Sequence, residues 1–101
     1  MKTIENKKFD IVYGKGQDGS VINFDTKRFM ILCLDNVWQG GINYKENRER
    51  TKIVEKIEKA KDKIELEDAE FTKLKECCES MKWATRNYNI DEFYKQLDEA
   101  I

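Results

Sequence analysis

The sequence predicts an α+β fold in which an N-terminal β-hairpin packs on a bundle of about four helices. Two short segments with alternating apolar residues flank a glycine-rich turn within residues 8–24, and this pattern is typical of a hairpin. Residues 27–101 carry apolar side chains three and four positions apart, which favours amphipathic helices. With 101 residues, of which 40% are hydrophobic, the chain is expected to form one domain spanning residues 1–101.

The hairpin contains the spacing Gly14-x-Gly16-x-x-Gly19, which also occurs in phosphate-binding loops. In a dinucleotide-binding fold such a loop precedes a helix, whereas here residues 20–24 read as a strand. A protein kinase would need further motifs that this chain lacks. We therefore interpret the glycines as a hairpin turn. The mostly polar residues 1–6 are expected to be disordered.

The first helix is expected over residues 27–38, with Gly40 and Gly41 ending it. Because it is apolar on almost every face, it should lie at the centre of the fold. If the hairpin and the other helices do not cover it completely, the exposed part would favour self-association or a partner protein.

Three more helices are expected. Asn43 and Glu46 have the spacing of a capping box, so the second helix should run over residues 44–61. An extended link precedes a third helix that begins near Asp68, where acidic residues suit the helix dipole. A last helix should begin near Asn89.

Composition excludes several classes of function. The formal net charge is −1, which argues against a dedicated nucleic-acid binder, although residues 45–63 carry +3 and residues 64–101 carry −5. With no histidine, there is no Ser-His or Cys-His pair, and a zinc site would be improbable. The three cysteines are expected to be reduced. No apolar run is long enough for a membrane span, so the protein is expected in the cytoplasm. Because the residue pairs needed for catalysis or zinc binding are missing from the sequence, we expect neither enzymatic activity nor a cofactor or metal.

Two sets of residues are candidates for binding. The first comprises aromatic residues that fall off the apolar stripes or at helix ends, since such residues often concentrate binding energy. They are Trp38, Tyr44, Trp83, Tyr88 and Tyr94. The alternative is that they fill gaps around a small core. The second set consists of basic residues through which the Lys-rich helix would contact nucleic acid. They are Arg48, Arg50, Lys52 and Lys56. Interleaved glutamates offer a simpler explanation, a solvated face with salt bridges.

The order of elements resembles that of small tailed-bacteriophage proteins. The shared pattern is strand, Gly/Asp turn, strand, apolar helix and Lys-rich helix, followed by an extended link and an acidic cap, here Lys63-Ile-Glu-Leu-Glu-Asp-Ala-Glu-Phe-Thr-Lys-Leu-Lys75. The segment Met81-Lys-Trp-Ala84 departs from the pattern. The resemblance implies a phage accessory or regulatory protein but transfers no functional residues. We expect the protein to bind another protein stoichiometrically, either as an inhibitor of a host or defence factor or as an assembly component. Binding between copies of this chain, in a homo-oligomer, is one form that we include.

Overall fold

The computed structural model describes residues 1–12, 21–37, 40–83, 86 and 88–100, with the backbone alone for residues 10–12 and 21–24. Its elements are β1 (Lys2–Glu5), β2 (Lys8–Val12), β3 (Val21–Asp25), α1 (Thr26–Asp35), α2 (Tyr44–Lys59), β4 (Lys63–Leu66), α3 (Asp68–Ser80) and α4 (Tyr88–Asp98). The predicted α+β fold, an N-terminal hairpin with four helices, is confirmed. The glycine turn of the hairpin lies outside the described residues.

Strands β2 and β3 form the predicted antiparallel hairpin, in which Phe9 pairs with Phe24. The buried Phe9 ring meets the Phe29 ring of α1 edge to face, with centroids 5.3 Å apart. A two-stranded hairpin is marginal in water by itself, so this contact with the helical core supplies stability that the ladder lacks.

The expectation that residues 1–6 are disordered is wrong. Residues Lys2–Glu5 form β1, which pairs antiparallel with β4, so that Ile4 faces Ile64 in register. Both isoleucines are buried. Burial of these side chains, together with the ladder, offsets the conformational entropy that a free terminus would keep. The short link before α3 is therefore a strand of a second sheet.

Helix α1 ends at Asp35, three residues earlier than expected. Asn36 is the C-cap, with an extended backbone, and Val37 leaves the helix. Aspartate and asparagine are weak helix formers because their side chains compete for backbone hydrogen bonds. Gly40 and Gly41 therefore do not end the helix. Their φ angles of 112° and 82° instead turn the chain towards α2, in a region of backbone space that favours glycine.

The core lies where α1 contacts the other helices and the two sheets. From α1 it takes Phe29, Met30, Cys33 and Leu34, all of which are buried. The Phe29 ring stacks on Phe93 of α4, with centroids 5.0 Å apart. The helix is thus central, as its apolar composition predicts.

Within the described ranges, no helix combines the length and the apolar character that crossing a membrane requires.

Candidate functional site

Two of the five aromatic candidates belong to the core. The indole Nε1 of Trp83 donates a hydrogen bond to the Tyr94 hydroxyl over 3.1 Å, and that hydroxyl donates to the carbonyl oxygen of Cys78. The Trp83 ring also meets Phe29 edge to face at 5.6 Å. Burial raises the pKa of Tyr94 to about 12. These contacts join α4 to α3 and α1, so both side chains have a clear structural purpose.

The tyrosines at the starts of α2 and α4 are on the surface. Tyr44 is 73% exposed and Tyr88 is 80% exposed. The guanidinium of Arg48 lies 5.8 Å from the centre of the Tyr44 ring and donates to its hydroxyl over 3.1 Å. The guanidinium of Arg86 lies 6.0 Å from the centre of the Tyr88 ring. Trp38, the fifth candidate, lies outside the described residues.

Arg50 has an environment that the sequence did not reveal. Only 9% of the residue is exposed, so its prediction as a nucleic-acid contact is wrong. Its Nη1 donates to the carbonyl oxygens of Leu34, over 3.1 Å, and Asn36, over 2.6 Å, while Nε donates to Glu46 over 3.2 Å. Those carbonyls belong to the end of α1, where helix geometry leaves acceptors without partners. Arg50 therefore caps α1 from α2.

The remaining basic candidates differ in their pairing. Lys56 forms an ion pair with Glu70 at 2.7 Å, and the hydrogen bond that it donates to the Glu70 carboxylate raises the pKa of the Lys56 ammonium. Arg48 is engaged with Tyr44, as described above. Lys52 is exposed, and no ion pair joins it to another described residue. The structure thus does not assemble the four predicted basic residues into one free cationic surface.

A surface groove of about 270 Å³ separates the end of α1 from α2. We call it the α1–α2 groove. Its lining consists of Leu34, Asp35, Val37, Ile42, Asn47, Arg50, Thr51, Val54, Glu55 and Glu58. The early end of α1 and the glycine turn create it, because they bring Val37 and Ile42 beside α2. Val37 is 46% exposed, and Val54 is half-buried.

Tyr44 does not line the α1–α2 groove, but it lies on α2 towards the end of the groove at Asn47. It lies three residues before Asn47 and seven before Thr51, and residues at these spacings share one face of a helix. Tyr44 and its neighbour Arg48 therefore stand at one end of the groove on the exposed surface. Sequence reasoning found Tyr44 but missed Val37 and Ile42. The signal available for them was a pair of apolar residues in a link rich in glycine.

The charges of the α1–α2 groove are unbalanced. Three acidic residues line it, Asp35, Glu55 and Glu58, and none forms an ion pair with another described residue. Its one basic lining residue, Arg50, is committed to backbone carbonyls and to Glu46. The groove therefore offers apolar surface beside three carboxylates that form no ion pair with another described residue.

A second cavity, of about 330 Å³, lies between α2 and α3, and its charges are largely neutralised. Lys73, in its lining, pairs with Glu46 at 2.9 Å and with Glu49 at 3.5 Å. The Lys73 hydrogen bond lowers the pKa of Glu46, and the same contact raises the pKa of Lys73. Glu70, in the same lining, is held by Lys56. These pairs hold α2 against α3, which explains the cavity without a ligand.

The cysteines offer little nucleophilic chemistry. Cys33, Cys77 and Cys78 are all free thiols and all buried. A hydrogen bond with Cys33 and burial raise the pKa of Cys78, and burial raises that of Cys77. Because the thiolate is the reactive form, raised pKa values oppose attack on a substrate.

The chain was compared with protein-family models, with curated proteins and with solved structures, and none of the three comparisons found a match.

Proposed function

We propose that this protein acts by stoichiometric docking onto another protein, and that the α1–α2 groove is its docking surface. The observation that carries the proposal is the group of apolar residues in the lining of the groove, of which Val37 is exposed, with the exposed Tyr44 on the adjoining face of α2. Apolar surface that stays in contact with water in a free protein becomes favourable to bury when a partner covers it.

The size of the groove favours a protein partner over a small molecule. Small-molecule sites enclose roughly 300–1,000 Å³, and this open groove of about 270 Å³ is only at the lower limit of that range. It suits the anchoring of one or two partner side chains in an interface that continues across neighbouring surface. Tyr44 and Arg48 belong to the residue types that most often carry binding energy in such interfaces.

The proposed role is that of a small accessory or regulatory protein of the bacteriophage type, acting without catalysis in the cytoplasm of the host cell. It would inhibit a host or defence factor by occupying its surface, or take part in assembly. The order of elements described above supports the phage origin. The raised thiol pKa values and the absence of histidine from the sequence support a binding role over an enzymatic one.

Nucleic-acid binding by helix 44–61 has less support. Such a surface needs several free cations to release counterions from phosphates. Here Arg50 is buried and Lys56 is paired, and the neighbouring groove adds negative charge that would repel a phosphate backbone.

Affinity capture from a lysate of the producing cell, followed by light scattering of the purified complex, tests the proposal. The wild-type protein should retain a partner in a fixed molar ratio, and Val37→Asn/Tyr44→Ala should lose it. Both side chains are exposed, so the double variant should still fold. Tyr88→Ala is the matched control, since it removes an exposed tyrosine that does not line the groove.

Equal capture by the wild-type protein and the groove variant would contradict the proposed site. Loss of the partner with Tyr88→Ala alone would move the docking surface to the start of α4. A complex of two copies of this chain, lost in the groove variant, would identify self-association as the form of docking.

A further inference from the structure

We infer that the α1–α2 groove receives a cationic amphipathic helix of the partner protein, with apolar residues facing the groove and Lys or Arg residues flanking them. This inference rests on the proposed function and adds to it the chemical class of the partner. Three features of the groove lead to it: its charge, the type of its walls and its length.

Charge complementarity selects a basic partner. The carboxylates of Asp35, Glu55 and Glu58 line the groove without ion pairs to other described residues. On the side of α2 that faces α3 the arrangement is the opposite, since Glu46 and Glu49 are both paired with Lys73. A partner that brings lysine or arginine to the groove would gain attraction there, whereas an acidic partner would be repelled.

The groove cannot supply a cation of its own to balance these carboxylates. The Arg50 guanidinium already donates to Leu34, Asn36 and Glu46, and it is nearly buried. Turning the guanidinium towards these carboxylates would leave the carbonyl oxygens of Leu34 and Asn36 at the end of α1 without their charged donor. A basic partner segment would therefore supply the ion-pair partners that these carboxylates lack among the described residues.

The walls of the groove favour a helix as the partner segment. They are formed by α1, α2 and the link that contains Ile42, and none of the lining residues belongs to a described strand. An extended peptide binds most strongly by adding a strand to a free sheet edge, which these walls do not provide. Recognition must then occur through side chains, and an amphipathic helix presents an apolar stripe for that purpose.

The length of the groove sets the size of the partner segment. Along α2 the lining runs from Asn47 to Glu58, which corresponds to about 16 Å at 1.5 Å per residue. That distance matches about three turns of a partner helix. Apolar residues at positions i, i+3 or i+4, and i+7 would then face Val37, Ile42 and Val54.

Three synthetic peptides of one length test the inference against the full-length protein. The first places leucines at i, i+3, i+4 and i+7 with lysines on the flanks. The second has glutamates in place of the lysines, and the third is a scramble of the first without the apolar stripe. Binding is followed by NMR shifts of the Val37 and Val54 methyl groups, and dissociation constants are measured at low and moderate salt.

The Leu/Lys peptide should shift both methyl groups and bind more tightly than the other two, with an affinity that falls as salt rises. Glu55→Lys/Glu58→Lys should weaken its binding by about tenfold or more, because like charges would then meet across the interface. Glu65→Lys/Glu99→Lys makes the same change of net charge at exposed residues outside the groove and should alter the affinity by less than about twofold.

Equal binding of the Leu/Lys and Leu/Glu peptides, or equal effects of the two charge-reversed variants, would overturn the inference. Capture of the partner from lysate with the Glu55→Lys/Glu58→Lys variant tests this inference separately from the proposed function. If that partner is lost with Val37→Asn/Tyr44→Ala but unaffected by Glu55→Lys/Glu58→Lys, docking stands and the cationic helix is wrong. If the groove variant retains the partner, the proposed function itself is wrong.

Discussion

Arg50 of α2 donates a hydrogen bond from Nη1 to the carbonyl oxygen of Asn36, 2.6 Å away, at the residue where α1 ends. The same nitrogen donates to Leu34. This contact fixes the position of Val37 relative to α2, and with it one wall of the α1–α2 groove. A single buried arginine thus links the stability of the fold to the shape of the candidate site.

Replacing Arg50 with alanine should lower the free energy of unfolding by about 2–3 kcal/mol, because buried acceptors lose a charged donor. Arg48→Ala on the exposed face of the same helix should change it by less than about 0.5 kcal/mol. Urea denaturation followed by circular dichroism measures both values. Equal stabilities of the two variants would show that Arg50 does not cap α1.

Thr26 is a second buried polar residue with a linking role. Its hydroxyl accepts a hydrogen bond from the Lys7 backbone N–H and donates to Gln96, both over 2.9 Å, so it joins the start of α1 to the residue before β2 and to α4. Thr26→Val keeps the shape but removes both bonds, and it should destabilise the fold by about 1–3 kcal/mol. Thr72→Val, at an exposed helical position, is the matched control and should cost less than about 0.5 kcal/mol. Thermal unfolding distinguishes them.

Glu46 should contribute to acid sensitivity. Lys73 and Arg50 lower its pKa in the folded protein below the ordinary value of 4.5. Its contribution to stability is therefore fully present above pH 4.5 and is lost as the pH falls through the lowered value. Glu46→Gln should be less stable than wild type at neutral pH, and the difference should shrink below pH 4.5. Unfolding of wild type and Glu46→Gln measured across pH gives this difference, with Glu55→Gln as the control at a carboxylate that forms no ion pair with another described residue.

The cysteines should be protected until the protein unfolds. All three are buried, and the pKa values of Cys77 and Cys78 are raised. Under native conditions iodoacetamide should modify them only as fast as local or global unfolding exposes them, whereas in denaturant all three should react at once. Lys82→Cys adds an exposed thiol as the control and should give one rapid adduct in the folded protein, detected by mass spectrometry. Rapid labelling of native Cys78 would contradict its burial.

Local patterns predicted the hairpin and the helices well. Capping residues and apolar spacing are features of neighbouring residues, so Asn43 marks the start of α2 correctly, and its side chain accepts a hydrogen bond from the Glu46 backbone N–H. Asp25 similarly accepts from Arg28 at the start of α1. At the N-terminus the structure departs from the expectation, and there the cause lies far away in sequence. Strand β1 exists because β4 pairs with it, some sixty positions later.

The candidate site was less predictable for the same reason. Trp83 and Tyr44 are both amphipathic aromatic residues, but their roles separate only when the fold places one beside Phe29 and leaves the other in solvent. Arg50 lies in a Lys/Arg-rich helix and looks like its neighbours in sequence. Arg50 is buried because it contacts the carbonyl oxygens of Leu34 and Asn36, which lie 16 and 14 positions away in sequence. No local pattern specifies such a contact.

The most direct test of the docking account is the dissociation constant of the captured partner, measured by calorimetry for the wild-type protein, Val37→Asn/Tyr44→Ala and Tyr88→Ala. Docking through the α1–α2 groove predicts that the groove variant binds more weakly by a factor of ten to several hundred, as expected when one or two central side chains of an interface are truncated, an effect of about 1.4–4 kcal/mol. It also predicts that Tyr88→Ala binds like the wild type. Unchanged affinity in the groove variant, with its fold confirmed by circular dichroism, would contradict the claim that this protein docks through the α1–α2 groove.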